Sequence, residues 1–171
     1  MKHKKTTIAI IVIAVLIIAF LISNYNSLNN YREKANNEYS NLSIIIDKKL
    51  DLTKNLITEV KKMKYESNTL NKLSKATKKL EDAYNISTKN KYNKQIDEYI
   101  EKIEKDIKNK NYQTTDNYNT ILSQITTQND KISKEVEKYN KKVNEYNNKI
   151  SHLPNSITSK LFGMKTETNY D

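Results

Sequence analysis

The sequence predicts an all-α protein: a single N-terminal transmembrane helix followed by an antiparallel four-helix bundle. Three observations lead there. Residues 8–22, IAIIVIAVLIIAFLI, are fifteen apolar residues without a break. The chain after them is polar and charged, with apolar residues recurring at steps of three and four, the spacing of one helix face. One glycine and one proline, Gly163 and Pro154, stand among 171 residues. Nothing between residues 24 and 153 therefore breaks a helix outright. The expected organisation is a basic leader at 1–7, a transmembrane helix at 8–23, a helical domain at 24–153 and a C-terminal tail at 154–171.

The apolar run covers roughly 22 Å as a helix at 1.5 Å per residue. The hydrocarbon core is about 30 Å thick. Thr6, Thr7 and Ser23 extend the span to roughly 27 Å, because their hydroxyls can bond back to the helix backbone. The rival readings are a cleaved signal peptide and a buried core helix. Lys2, Lys4 and Lys5 resemble a signal n-region, but residues 19–25 offer no small-x-small cleavage pair. A retained anchor fits better. Lysines and arginines orient such anchors. Lys2, Lys4 and Lys5 precede the span, and only Arg32 and Lys34 follow it as far as Asp47. A cytoplasmic N-terminus and a domain outside the membrane are expected.

The first helix continues from the membrane through Leu28, Tyr31, Ala35, Tyr39 or Leu42, and Ile45 or Ile46. A break is expected near 47–51. A second helix follows, with Leu52, Leu56, Val60, Met63, Leu70 and Leu73 on one side of a 3.6-residue wheel. Lys54, Lys61, Lys72 and Lys79 fall almost on one line opposite, with Lys64 and Lys75 beside it. The net charge is +10, and its surplus sits here: ten lysines against Asp51, Glu59 and Glu66 between 48 and 79. The plain reading of that line is a solvated face. The functional reading is contact with anionic lipid or a wall polymer. No groove-reading motif accompanies the lysines, so nucleic acid is not an expected partner.

Residues 86–92, ISTKNKY, read as a connection. The third helix is short, from Ile96 through Tyr99 or Ile100 and Ile103 to Ile107, with Glu98–Lys102, Glu101–Lys105 and Glu104–Lys108 as i,i+4 pairs. Residues 109–116 read as a second connection. The fourth helix is the most regular. Ile125, Asn129, Ile132, Val136, Tyr139, Val143, Tyr146 and Ile150 form a heptad seam with one polar position. Pro154 ends it. A long coiled-coil dimer is the alternative, but the unequal segments and Asn-broken seams favour a monomeric bundle.

Catalytic chemistry has little to work with. The chain has no cysteine, which removes disulfides, thiolate metal sites and cysteine nucleophiles. His3 and His152 have no partner at ligand spacing. There is no HExxH, P-loop or GxSxG pattern. No cofactor is expected.

The most specific pattern lies at the C-terminal end. Tyr139-Asn140, Val143, Tyr146-Asn147 and Ile150 are followed by Pro154, Ile157 and Phe162-Gly163-Met164. This resembles the closing signature of the LemA family of bacterial membrane proteins. Tyr25-Asn26-x-Leu28 resembles the family's opening motif, and Asp51-Leu52-Thr53-Lys54-Asn55-Leu56-Ile57 its mid-domain run. Tyr112, Tyr118, Ile121, Ile125 and Ile132 fit at reduced strength. Thr53-Lys54 departs from the family's usual Ile-Pro, Gln113 from its proline, and Asn129 and Val136 from a common glutamate and arginine. The resemblance implies a single-pass anchor and a helical bundle, and no established enzyme activity. A membrane-tethered interaction or scaffold protein of the bacterial envelope is the expected function, with a protein partner of unknown identity. In that reading the tyrosines of the signature bury their rings and keep their hydroxyls at the edge, and the asparagines bond a neighbouring element.

Overall fold

The computed structural model describes residues 2–170, with side chains from Lys4 to Tyr170. Lys2 and His3, considered above as part of the leader and as a ligand, have side chains outside the described residues. The described residues form helices and connections, without strands: α1 (Lys2–Lys62), α2 (Asn68–Glu81), α3 (Ile86–Asn109), α4 (Asp116–Ser151) and α5 (Asn155–Leu161). The chain divides into two compact units. The first comprises Met1–Asn37 and Asn140–Glu167, and the second Glu38–Tyr139 and Thr168–Asp171.

The break expected near 47–51 does not occur. Helix α1 runs unbroken for 61 residues, about 90 Å at the α-helical rise. The cluster of charges there interrupts nothing, because Lys49 is turned fully inward and Leu50 is buried beside it. The real stop is at Lys62. The next residues close a Schellman motif: Lys64 N–H bonds the Lys61 carbonyl at 2.9 Å and Tyr65 N–H the Val60 carbonyl at 3.3 Å. Lys64 takes the left-handed conformation this requires, with φ of 56°. The second helix expected from Leu52 to Lys79 is therefore two elements. Its first half is the end of α1 and its second half is α2. Ser67 starts α2 by accepting from Leu70 N–H at 3.0 Å.

The connection expected at 86–92 is the first two turns of α3. Its N-cap is Asn85, whose side chain accepts from Thr88 N–H at 2.8 Å. The expected connection at 109–116 is present, between Asn109 and Asp116. It uses the same device as α1: Tyr112 N–H bonds the Ile107 carbonyl at 3.1 Å, with Asn111 left-handed at φ of 53°. Thr115 caps α4 by accepting from Tyr118 N–H at 3.0 Å.

In the second unit the core is aliphatic. Leu42, Ile46, Leu56, Val60, Leu73, Ile96 and Ile103 are almost completely buried. Tyr65 and Tyr112, each the residue after a left-handed cap, meet edge to face at 5.4 Å. Such a pair adds about 0.5–1.5 kcal/mol beyond its buried area. Of the three expected intrahelical pairs on α3, Glu101 and Lys105 close, while Lys102 lies 5.8 Å over the Tyr99 ring.

In the first unit Leu28, Tyr146 and Ile150 form one buried cluster, with Tyr31 and Met164 packed against it. The residues after Pro154 are not a plain tail. They form α5, which Gly163 ends at φ of 66° through a third Schellman motif. Met164 N–H bonds the Ser159 carbonyl at 2.8 Å and Gly163 N–H the Lys160 carbonyl at 3.3 Å. The apolar residues 8–22 are not covered by protein. Their large side chains, half-buried Leu21 apart, stay exposed, from 49% at Phe20 to 63% at Leu16. This helix is long and apolar enough to cross a membrane.

Candidate functional site

The C-terminal signature residues act on the chain's own last segment. In the first unit Tyr146 is fully buried, and its hydroxyl donates to the Lys165 carbonyl at 3.0 Å. Asn147 binds both backbone polar groups of one residue, Glu167. Its Nδ2 donates to the Glu167 carbonyl and its Oδ1 accepts the Glu167 N–H, each at 2.9 Å. Arg32 Nε adds an ion pair to Glu167 Oε1 at 2.9 Å. Burial pushes the Tyr146 hydroxyl pKa up; the Arg32 charge works against that and Glu167 with it. The phenol remains a donor throughout the physiological range. In the second unit the Tyr139 hydroxyl donates to the Thr168 carbonyl at 2.8 Å, and its ring lies 5.7 Å from that of Tyr39. Val143 is buried completely and Ile150 nearly so, while Asn140 is half-buried.

The other signature residues are placed elsewhere. The Tyr25 ring meets Phe162 at 4.7 Å, and Leu28 joins Tyr146 and Ile150 in the core. Asn26 is exposed. Pro154 caps α5 at its N-terminal side. In the mid-domain run Leu56 is buried, Leu52 half-buried, and Asp51 and Asn55 exposed.

The lysine line does not survive as one helical face, since α1 stops at Lys62 and α2 starts at Asn68. Lys54 is held by Glu81 at 2.7 Å, a hydrogen bond that raises its pKa. Lys79 lies 5.5 Å over the Tyr92 ring. Lys61 and Lys72 are exposed.

Sequence reasoning missed a buried polar network in the second unit. Lys49 Nζ is fully buried and donates to Asn93 Oδ1 at 2.8 Å and Asp97 Oδ1 at 2.6 Å. Asn129 Nδ2 donates to the same Asp97 oxygen at 3.0 Å. Burial pushes the Lys49 pKa down, and the charge and hydrogen bond of Asp97 pull it back. Tyr170 is buried close by. Burial pushes its hydroxyl pKa strongly up, and the Asp97 charge works with it. The available signal was the polar seam position Asn129, which here finds a carboxylate. Nothing in the periodicity distinguishes Lys49 from its neighbour Lys48.

A second missed group is Glu59. It accepts from Thr115 Oγ1 at 2.9 Å and Asn117 Nδ2 at 3.0 Å. Those bonds, then the one from Lys62, hold its pKa below the ordinary carboxylate value. It thus sits where a carboxylate complements the positive end of α4.

An open cleft of about 460 Å³ lies among Glu104, Ile107, Tyr112, Tyr118 and Leu122. Burial, and secondarily Glu101, raises the Glu104 pKa. Burial also raises Tyr118 to about 12, with Glu104 adding to it. The Tyr118 phenol is therefore kept protonated and able to donate a hydrogen bond. His152 bonds the Asn148 carbonyl through Nδ1 at 2.8 Å. Among the described residues no three His, Asp or Glu side chains are grouped as a metal site requires.

Together these features define a class: an all-helical chain with an exposed apolar N-terminal helix and a C-terminal segment pinned by Tyr and Asn side chains. A profile of the LemA family matches residues 38–171. The chain belongs to the LemA family. The matched stretch contains the mid-domain and closing motifs, whereas Tyr25, Asn26 and Leu28 precede it. No curated protein matches the sequence.

Proposed function

We propose that this chain is a membrane-anchored scaffold of the bacterial cell envelope that binds protein partners and carries out no catalysis. The observation that carries the reading is the uncovered apolar stretch at 8–22. Eleven large aliphatic or aromatic side chains facing water would be an aggregation liability, whereas lipid supplies the missing environment. The helix satisfies its own backbone, as a lone span must. The family supports the same placement. Lysines before the span, with few close after it, support a cytoplasmic N-terminus and a domain outside.

The domain itself is an antiparallel four-helix bundle in this proposal. Three pairings in the second unit support it. Lys54 of α1 meets Glu81 at the end of α2, and Lys79 of α2 meets Tyr92 early in α3. Glu59, late in α1, meets Thr115 and Asn117 at the start of α4, while Tyr39 meets Tyr139. The end of α2 thus faces the early part of α3, and the end of α1 the start of α4, as antiparallel neighbours do. A bundle held by aliphatic packing and internal polar ties offers its surface, not a reaction centre. The alternative role of Lys54, Lys61, Lys72 and Lys79 in binding anionic lipid or wall polymer is the weaker one. Glu81 and Tyr92 already engage two of the four.

Protease shaving of intact cells carrying a tag after residue 171 tests the placement. Loss of the tag while a cytoplasmic control survives is the expected result. Protection until lysis would place the domain in the cytoplasm and redirect the search for partners there.

A further inference from the structure

The helix α5 is inside out for a soluble protein. Thr158 and Ser159 are its buried residues, at 0% and 5% exposure. Its large apolar residues face outward: Ile157 is 57% exposed and Leu161 64%, flanked by Leu153 at 75% and Phe162 at 47%. Ile157 and Leu161 are four apart and share one face. The burial of the polar side is a built arrangement. Asn24 Nδ2 donates to Thr158 Oγ1 at 2.9 Å. Ser159 Oγ bonds the Ile150 carbonyl at 3.0 Å and the Ser156 carbonyl at 3.1 Å. Among the described residues outside the apolar run, the large apolar side chains left this exposed are these four with Ile44 and Tyr84. Four of six on one short stretch is a patch, not scatter.

Its position says what covers it. Asn24 follows the last residue of the apolar run, Ile22, by two positions, about 3 Å along the helix. The hydrogen bond from Asn24 therefore fixes α5 at the level where the span ends. Tyr25, one residue further, packs against Phe162 with the ring centroids 4.7 Å apart. Two aromatic rings at the mouth of a span sit where membrane proteins concentrate amphipathic rings.

We propose that α5 is an interfacial foot. Its Leu153, Ile157, Leu161 and Phe162 face enters the boundary between headgroups and acyl chains of the bilayer that residues 8–22 cross. The occupant of the patch is lipid. Helices of this kind bury their apolar side about 5–10 Å into that boundary. The foot fixes the tilt of the span and the height of the first unit above the membrane. It rests on the reading of residues 8–22 as a membrane span.

The chain has no cysteine, so single-cysteine variants of the full chain can each carry one environment-sensitive fluorophore. Four positions suffice in proteoliposomes: Ile157→Cys and Leu161→Cys on the foot, Ile13→Cys in the span and Tyr84→Cys as a water-exposed control. Lipids bearing a nitroxide near the headgroup or deep in the acyl chain are the quenchers. The foot predicts blue-shifted emission at 157 and 161, quenched more by the shallow nitroxide than by the deep one. Position 13 is quenched more by the deep nitroxide, and position 84 by neither. If 157 and 161 behave like 84 while 13 remains deep, the span stands and the foot is wrong. Blue-shifted emission at 157 and 161 that no nitroxide quenches means a protein covers the patch, which also overturns the proposal. If position 13 is not quenched, the span reading fails and the foot with it.

Discussion

Asn147 and Glu167 exchange two hydrogen bonds, amide to carbonyl and N–H to amide oxygen, each at 2.9 Å. The backbone N–H and carbonyl of a residue twenty positions away are held as a strand neighbour would hold them, by one side chain. Asn147→Ala removes both bonds and leaves the Glu167 N–H and carbonyl to water. The net loss is about 1.4 kcal/mol, or roughly tenfold faster hydrogen exchange at the Glu167 amide. Mass-spectrometric exchange across 165–170 measures it. Unchanged exchange there means that Tyr146 and Arg32 hold the segment without Asn147.

How much of this was legible follows from what each residue must do. The apolar run and the heptad seam of α4 were visible because burial or lipid contact imposes a period on many residues at once. The boundaries were harder. The chain uses Lys64 where left-handed backbone usually takes glycine, so the stop of α1 carries no punctuation, whereas the polar run at 109–116 marked the stop of α3. The cluster around Lys49 looked like a turn because a run of charges normally marks solvent. One of those lysines is instead a core residue. The closing motif was readable as a motif, but its targets, the carbonyls of Lys165, Glu167 and Thr168, are backbone atoms without a sequence signature.

Lys64 gives a test of the first stop. A non-glycine residue in the left-handed region costs about 1–2 kcal/mol, and glycine loses part of that gain to unfolded-chain entropy. Lys64→Gly therefore stabilises the protein by about 0.5–1 kcal/mol. A urea midpoint that rises with an unchanged slope is the expected record. A falling midpoint shows that the lysine side chain contributes more than the strain it carries.

The Lys49–Asp97 pair predicts an asymmetry. Asp97→Ala strands a fully buried ammonium and costs about 3 kcal/mol. Lys49→Met removes the buried charge and leaves Asp97, which is partly exposed at 39%, to be hydrated. That variant is close to neutral in stability, within ~1 kcal/mol. Chemical denaturation of the two variants beside the parent decides the matter. Equal losses would mean that the pair stabilises the fold outright.

Glu59 makes the fold acid-sensitive. Hydrogen bonds from Thr115 and Asn117, then the one from Lys62, depress its folded pKa below the ordinary 4.5. Its contribution is complete above that ordinary value and is lost as pH falls through the lower folded value. The parent protein should therefore lose urea resistance on acidification below about 4.5, and Glu59→Gln should lose less over the same interval. Parallel pH curves for the two proteins would exclude Glu59 as a source of the effect.

The central claim is that residues 8–22 hold this helical protein in a membrane. Alkaline carbonate extraction of membranes from cells making the full chain tests it most directly. The account predicts that the protein stays in the pellet with integral proteins. Release of the intact chain into the supernatant would contradict it.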